Sequence, residues 1–318
     1  MRHTRSFAMS LAVSVLIVLI GTSTNASAQL NTQHIKGVTG LKAGSQPPPH
    51  VYLIAPLFYL YNTDTVRRPS GDRLPIDAEI TTRAWGFGVS HVTTRKVLGG
   101  DYGYSVLFAT MNNRIQGTEI DANPGGGISD TAFTPITLGW HFKRADVVTG
   151  MTMFLPTGRY SDGADDNTGL GMWGWEPQLG ATFYLNEAKA YHAATLLTMT
   201  AQSKKEDSDT KVGTALNLEG GLGADFLEGG LTTGLVYYAS FKLGEDTIDG
   251  VPGILIRGKN KVFALGPEVS LALARRGTLY GFLKANYQWE TYARTNTQGS
   301  ELTVMATFLI KPIKLGGS

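Results

Sequence analysis

The stretch LKANYQWE, residues 283–290, decides the fold. Leu283, Ala285, Tyr287 and Trp289 alternate one for one with Lys284, Asn286, Gln288 and Glu290. A period of two places apolar groups on one face of an extended strand and polar groups on the other. Leu216, Leu218, Leu222 and Phe226 alternate in the same way with Asn217, Glu219 and Asp225. In 173–185, Trp173, Trp175, Leu179, Phe183 and Leu185 oppose Glu176, Gln178, Thr182 and Tyr184. A strand with one greasy and one charged face fits either a soluble sandwich or a membrane barrel, so the connections between strands must discriminate.

Outward from that stretch, the chain divides into about twelve segments of barrel-strand length. They are 51–61, 80–93, 102–112, 131–143, 146–155, 171–185, 190–202, 213–226, 231–243, 260–273, 278–292 and 300–312. Connections alternate long and short. Residues 62–79, 113–130, 156–170, 203–212 and 244–259 form long ones, and 293–299 a shorter one on the same side. Residues 143–146, 186–189, 227–230 and 274–277 are tight turns, and 94–101 is intermediate. A sandwich has no reason to sort its loops by parity. An outer-membrane barrel does, with short periplasmic turns and longer extracellular loops. The expected fold is therefore all-β, a transmembrane antiparallel β-barrel of about 12 strands.

The tryptophans agree. Trp85, Trp173, Trp175 and Trp289 fall at outer strand ends and Trp140 at a periplasmic end, where indoles form aromatic girdles at the boundary of lipid and water. Lys or Arg facing lipid at midplane costs roughly 2–4 kcal/mol, and the mid-strand charges Glu176, Glu219, Glu268 and Lys284 share the face opposite the apolar residues.

The ends add compartment. Arg2 and Arg5, the apolar run 11–20 and Ala26-Ser27-Ala28 read as a signal peptide over 1–28. The run is too short for a membrane-spanning helix, which needs about 20 apolar residues. Lys and Arg total 28 against 26 for Asp and Glu. The two leader arginines account for the difference, so the mature chain is formally neutral and carries no electrostatic footprint for nucleic acid. It has no cysteine, hence no disulfide framework. Residues 29–50, with Pro47-Pro48-Pro49, read as a periplasmic leader that either partly plugs the barrel mouth or hangs free; residues 51–318 form the barrel. The expected location is the outer membrane, with its lipid and the barrel-assembly machinery as partners.

Chemical motifs are weak. Asp162, Asp165, Asp166 and Asn167 fail the spacing of a calcium loop, the glycines of 158–174 open no helix that would cradle phosphate, and no metal or cofactor is expected. The mature chain's histidines (His34, His50, His91, His141 and His192) are all assigned to the periplasmic side. No G-x-S-x-G or H-E-x-x-H occurs, so an enzyme is not expected. An outer-membrane hydrolase of lipid or peptide, and a closed structural or surface-binding barrel, are the alternatives.

The residues FLPTGRY (154–160), Asn167-Thr-Gly and Trp173 resemble the outer-membrane family known as the MetA pathway of phenol degradation. The resemblance extends more weakly over most of the mature chain. It implies a channel for uptake of aromatic or other hydrophobic compounds. The chain departs from the pattern at its end, 313–318, which lacks a terminal aromatic; either Phe308 supplies the assembly signal or the last residues are an extension.

By parity, Glu176, Gln178, Asn217, Glu219, Tyr238, Lys242, Glu268, Lys284, Asn286, Gln288 and Glu290 point into the lumen. They line a solute path or cross-pair and fill a closed interior. Several early strands are apolar on both faces: Ile54 and Phe58 oppose Leu53 and Leu57, and Val148 and Phe154 oppose Val147 and Met153. One wall of the lumen is then greasy and the other charged, which suits small hydrophobic or aromatic solutes taken up passively.

Overall fold

The computed structural model describes residues 30–314 except 119, 124, 163, 165 and 250–258. The expected signal peptide, together with 315–318, lies outside the described residues. Twelve long strands make the wall: β1 (His50–Thr63), β2 (Glu79–Val97), β3 (Gly100–Gly117), β4 (Thr131–His141), β5 (Ala145–Leu155), β6 (Gly174–Tyr184), β7 (Tyr191–Gln202), β8 (Ala215–Phe226), β9 (Leu231–Lys242), β10 (Lys261–Arg275), β11 (Thr278–Arg294) and β12 (Ser300–Lys314). Each pairs antiparallel with its neighbour in sequence, and β1 pairs with β12, Tyr52 opposite Leu309 and Asn62 opposite Ser300. That seam closes the cylinder and leaves no free edge, the condition for a sheet in hydrocarbon.

The observed strands match the segments read from the sequence to within a few residues, with one correction. The connection at 94–101 is not of intermediate length. β2 and β3 extend toward each other until only Leu98 and Gly99 remain, both at positive φ (50° and 81°), as a two-residue hairpin on right-twisted strands requires. All the connections at this end are then tight. The other end carries the long loops and is called the extracellular end below.

Side-chain alternation sorts two faces with opposite chemistry. Along β7, His192, Ala194, Leu196, Thr198, Thr200 and Gln202 are buried, while Tyr191, Leu197 and Met199 are exposed. Trp85, Trp173, Trp175 and Trp289 point outward and are exposed. Trp140 donates its indole N–H to the Leu98 carbonyl at 3.1 Å, bracing the first tight turn. The buried residues divide almost evenly between apolar and polar or charged ones, unlike a soluble core.

Candidate functional site: a threaded lumen

Residues 30–46 occupy the barrel interior, and Pro47-Pro48-Pro49 is exposed at its short-turn mouth. At the extracellular end the Leu30 N–H donates to Asp246 at 2.7 Å, and Lys242 donates to the Leu30 carbonyl at 2.6 Å and to Asp246 at 2.7 Å. Gln33 donates to the Met172 carbonyl at 2.6 Å. At the short-turn end Lys42 pairs with Asp225 at 2.7 Å, Ser45 donates to Asp146 at 2.8 Å and Gln46 to Thr137 at 2.9 Å. The segment thus runs along the axis from one mouth to the other, and the chain then reverses into β1.

Between these ends the segment meets a wall of buried carboxylates. The His34 ring lies between Glu176 and Glu219, each 2.9 Å from one ring nitrogen. An ionised carboxylate only accepts, so an imidazole bonded to one at each nitrogen donates from both and is an imidazolium. Glu219 also accepts from the Gly37 N–H at 2.9 Å and the Thr39 hydroxyl at 2.6 Å. Glu176 accepts from Thr200 at 2.6 Å. Glu268 accepts from the Leu41 N–H at 3.0 Å and from Asn286 at 3.2 Å. Lys284 donates to the Val38 carbonyl at 2.6 Å, and Asn286 and Gln288 both donate to the Gly37 carbonyl at 3.1 Å. These contacts satisfy the backbone groups of a segment that has no secondary structure of its own.

Two glycines let it fit. Gly37 (φ +73°) and Gly40 (φ +81°) adopt the left-handed conformation, and a Cβ on either would run into a carboxylate, Glu301 in the first case and Glu268 in the second. The opposite side of the segment is greasy: Ile35 and Val38 pack on Tyr59, Tyr61 and Ala84. Tyr61 and Tyr238 both donate to Glu290 at 2.8 Å, and Tyr59 donates to Glu301 at 3.2 Å.

Of the residues assigned to the lumen from parity, Glu176, Asn217, Glu219, Tyr238, Lys242, Glu268, Asn286, Gln288 and Glu290 are buried; Gln178 and Lys284 are half-buried. Their main partners differ from the cross-pairing entertained above. Asn217 bonds to Thr198, Thr200 and Ser240 within the wall, but Glu176, Glu219, Glu268, Lys242, Lys284, Asn286 and Gln288 all reach residues 30–41. The assignment of every histidine to the periplasmic side is corrected for His34: its partners Glu176 and Glu219 lie in the extracellular halves of β6 and β8. His34 belongs to the leader, expected at the periplasmic mouth or free of it, which instead runs through the barrel to the extracellular end.

Tyr59, Tyr61, Glu301 and the segment's own His34 and Lys36 belong to the site and were missed. The available signal was the i, i+2 spacing of the two tyrosines in β1, masked because that strand is apolar on both faces.

The stretch FLPTGRY with Asn167 closes a loop over this end. Asn167 accepts from the Ser161 N–H at 2.8 Å and donates to the Ser161 carbonyl at 2.9 Å, while Arg159 donates to the Asp166 carbonyl at 2.6 Å. Tyr160 packs where a Cβ on Gly171 would stand. Burial and then Asp162 push its hydroxyl up to about 12. Lys205 sits 5.2 Å from that ring, and burial holds its ammonium below the usual lysine range.

Residues 63–306 match the model of the family described as a putative MetA-pathway of phenol degradation, and the chain belongs to that family. No curated protein sequence matches. Among solved structures the chain is similar to an outer membrane channel from Pseudomonas putida F1, with a TM-score of 0.69, 12% identity, 87% of this chain covered and 100% of the other. At that identity the likeness carries the fold. The NanC porin (TM-score 0.44, 8% identity, 82% and 100% covered) and the translocator domain of the autotransporter NalP from Neisseria meningitidis (TM-score 0.44, 12% identity, 84% and 90% covered) are more distant.

Proposed function

We propose that this member of the MetA-pathway family is an outer-membrane channel for passive uptake of small hydrophobic or aromatic compounds, closed at rest by residues 30–46. One observation carries the reading: a segment of the chain that is not part of the wall runs through the lumen, in space that the wall's own side chains leave. A barrel built only as a rigid surface support could fill itself with large inward residues. Here the inner face of β2 carries Ala84, Gly86 and Gly88, and that of β8 carries Gly221 and Gly223, beside Leu41, leaving room for something else. The two-sided interior, Tyr59, Tyr61 and Ala84 opposite Glu219 and Glu268, supports solutes with an apolar body. The channel named in the Pseudomonas putida structure agrees in kind.

The test uses the absence of native cysteine. Leu41 Cδ1 lies 3.2 Å from where a Cβ on Gly223 would stand, so Leu41→Cys with Gly223→Cys is placed to tether the segment. In liposomes, uptake of a small aromatic such as phenol is expected to stop on oxidation and return on reduction. Equal uptake in both states would remove the segment as a closure. Large, unselective ion conductance of the wild type would favour a general porin, and no solute uptake in any state would favour the closed structural barrel.

A further inference from the structure

Lys36 marks a second feature of the interior, distinct from the clamp around His34. Its ammonium stands 5.5 Å from the centre of the Tyr238 ring and 3.5 Å from a Glu290 oxygen. An ammonium facing an aromatic ring on one side and a carboxylate on the other is the arrangement that receives organic cations. Lys36 fills it loosely, since its side chain keeps 23% of its exposure while that of Glu290 keeps none.

The neighbouring wall has capacity to spare. Glu301 is 1% exposed and accepts from the Tyr59 hydroxyl at 3.2 Å and from Gln288 at 3.1 Å. Among the described residues no Lys, Arg or His nitrogen makes an ion pair with it. Burying a carboxylate without a counter-charge is costly. Beside it, Gln288 Oε1 and Thr303 Oγ1 are fully buried and have no hydrogen-bond partner. Two oxygens without a donor thus stand beside a carboxylate that has neutral donors and no counter-charge. The apolar surface against which Ile35 and Val38 pack lies next to these groups.

We propose that the Glu290–Glu301 face of the lumen, with the ring of Tyr238, is a binding site for small organic ammonium ions bearing an apolar or aromatic body, and that Lys36 is its resident occupant. Such a solute supplies the positive charge that Glu301 lacks and N–H donors for the unpartnered oxygens of Gln288 and Thr303, and competes with Lys36 for Tyr238 and Glu290. The inference rests on the channel reading for its biological use but not for its test.

Binding is measured by calorimetry on the full chain in detergent micelles, with benzylammonium, benzyl alcohol and benzoate as probes of one size and three charges. Lys36→Met is expected to tighten benzylammonium binding at least about tenfold and leave benzyl alcohol unchanged; Glu290→Gln added to it should reverse the gain. In the wild type, benzylammonium is expected to speed acetylation of Lys36, read by mass spectrometry, as the side chain is displaced. The proposal is overturned if Lys36→Met binds all three probes alike, or if Lys36 reactivity ignores benzylammonium. Uptake of the same probes into liposomes separates the two readings. Cation binding without flux would sink the channel and spare the site; flux of benzyl alcohol without cation binding would do the opposite.

Discussion

His34 shows how one side chain can hold a lumen shut. Its two donors neutralise carboxylates on two different strands, β6 and β8, so a single imidazolium ties the segment to the wall on either side of β7. Removing one partner of a buried charge pair typically costs about 3–5 kcal/mol, because the other is left uncompensated. His34→Ala is therefore expected to unseat residues 30–41 while β1–β12 stay folded. Faster proteolysis or hydrogen exchange confined to that segment is the measurement; unchanged protection would mean that the flanking contacts suffice. His34 also marks the limit of reading at this scale. Parity correctly orients Glu176 and Glu219, because it follows from strand geometry alone. It says nothing of a segment without periodicity, whose placement depends on contacts with residues more than 140 positions away.

The strands were legible because their period reports burial directly. In β7, Leu197 faces lipid and its neighbours Leu196 and Thr198 face inward. Leu197→Arg is expected to destabilise the folded barrel by about 2–4 kcal/mol, and Thr198→Val, on the inner face, by far less; reversible unfolding in lipid vesicles reads both. Equal effects would contradict the assignment of faces. The loops were less legible. The Leu98–Gly99 turn was read as longer because Thr93, Thr94, Arg95 and Lys96 carry no apolar alternation, yet β2 and β3 project past the hydrophobic band there and need none. Similarly β1, apolar on both faces, concealed its two inward tyrosines.

At the scale of the molecule, electrostatics distinguishes a filled from an emptied barrel. Glu176, Glu219, Glu268, Glu290 and Glu301 face the lumen, where the wall's own ammonium groups are those of Lys242 and Lys284, and the segment supplies the balancing His34 and Lys36. Gly37→Val, which places a Cβ against Glu301 at a φ that non-glycine residues adopt at a cost of about 1–3 kcal/mol, is expected to withdraw the segment and expose an acidic pore. Reversal potentials across a KCl gradient should then indicate cation preference. Anion preference would mean that the glutamates are not exposed to the permeating ion.

The closed seam between β1 and β12 has a mechanical corollary for the segment it encloses. A cord lying inside a tube cannot be lifted out sideways; it must be drawn lengthwise, and every bond from Leu30 to Gln46 resists in series or in parallel according to the end that is pulled. At the short-turn mouth, Pro47-Pro48-Pro49 forms a stiff extended grip, anchored on one side to His50, the first residue of the wall. Traction there peels Gln46 from Thr137 and Ser45 from Asp146 first, then Lys42 from Asp225, and only afterwards loads His34 and the fastenings of Gln33 and Leu30 beyond it.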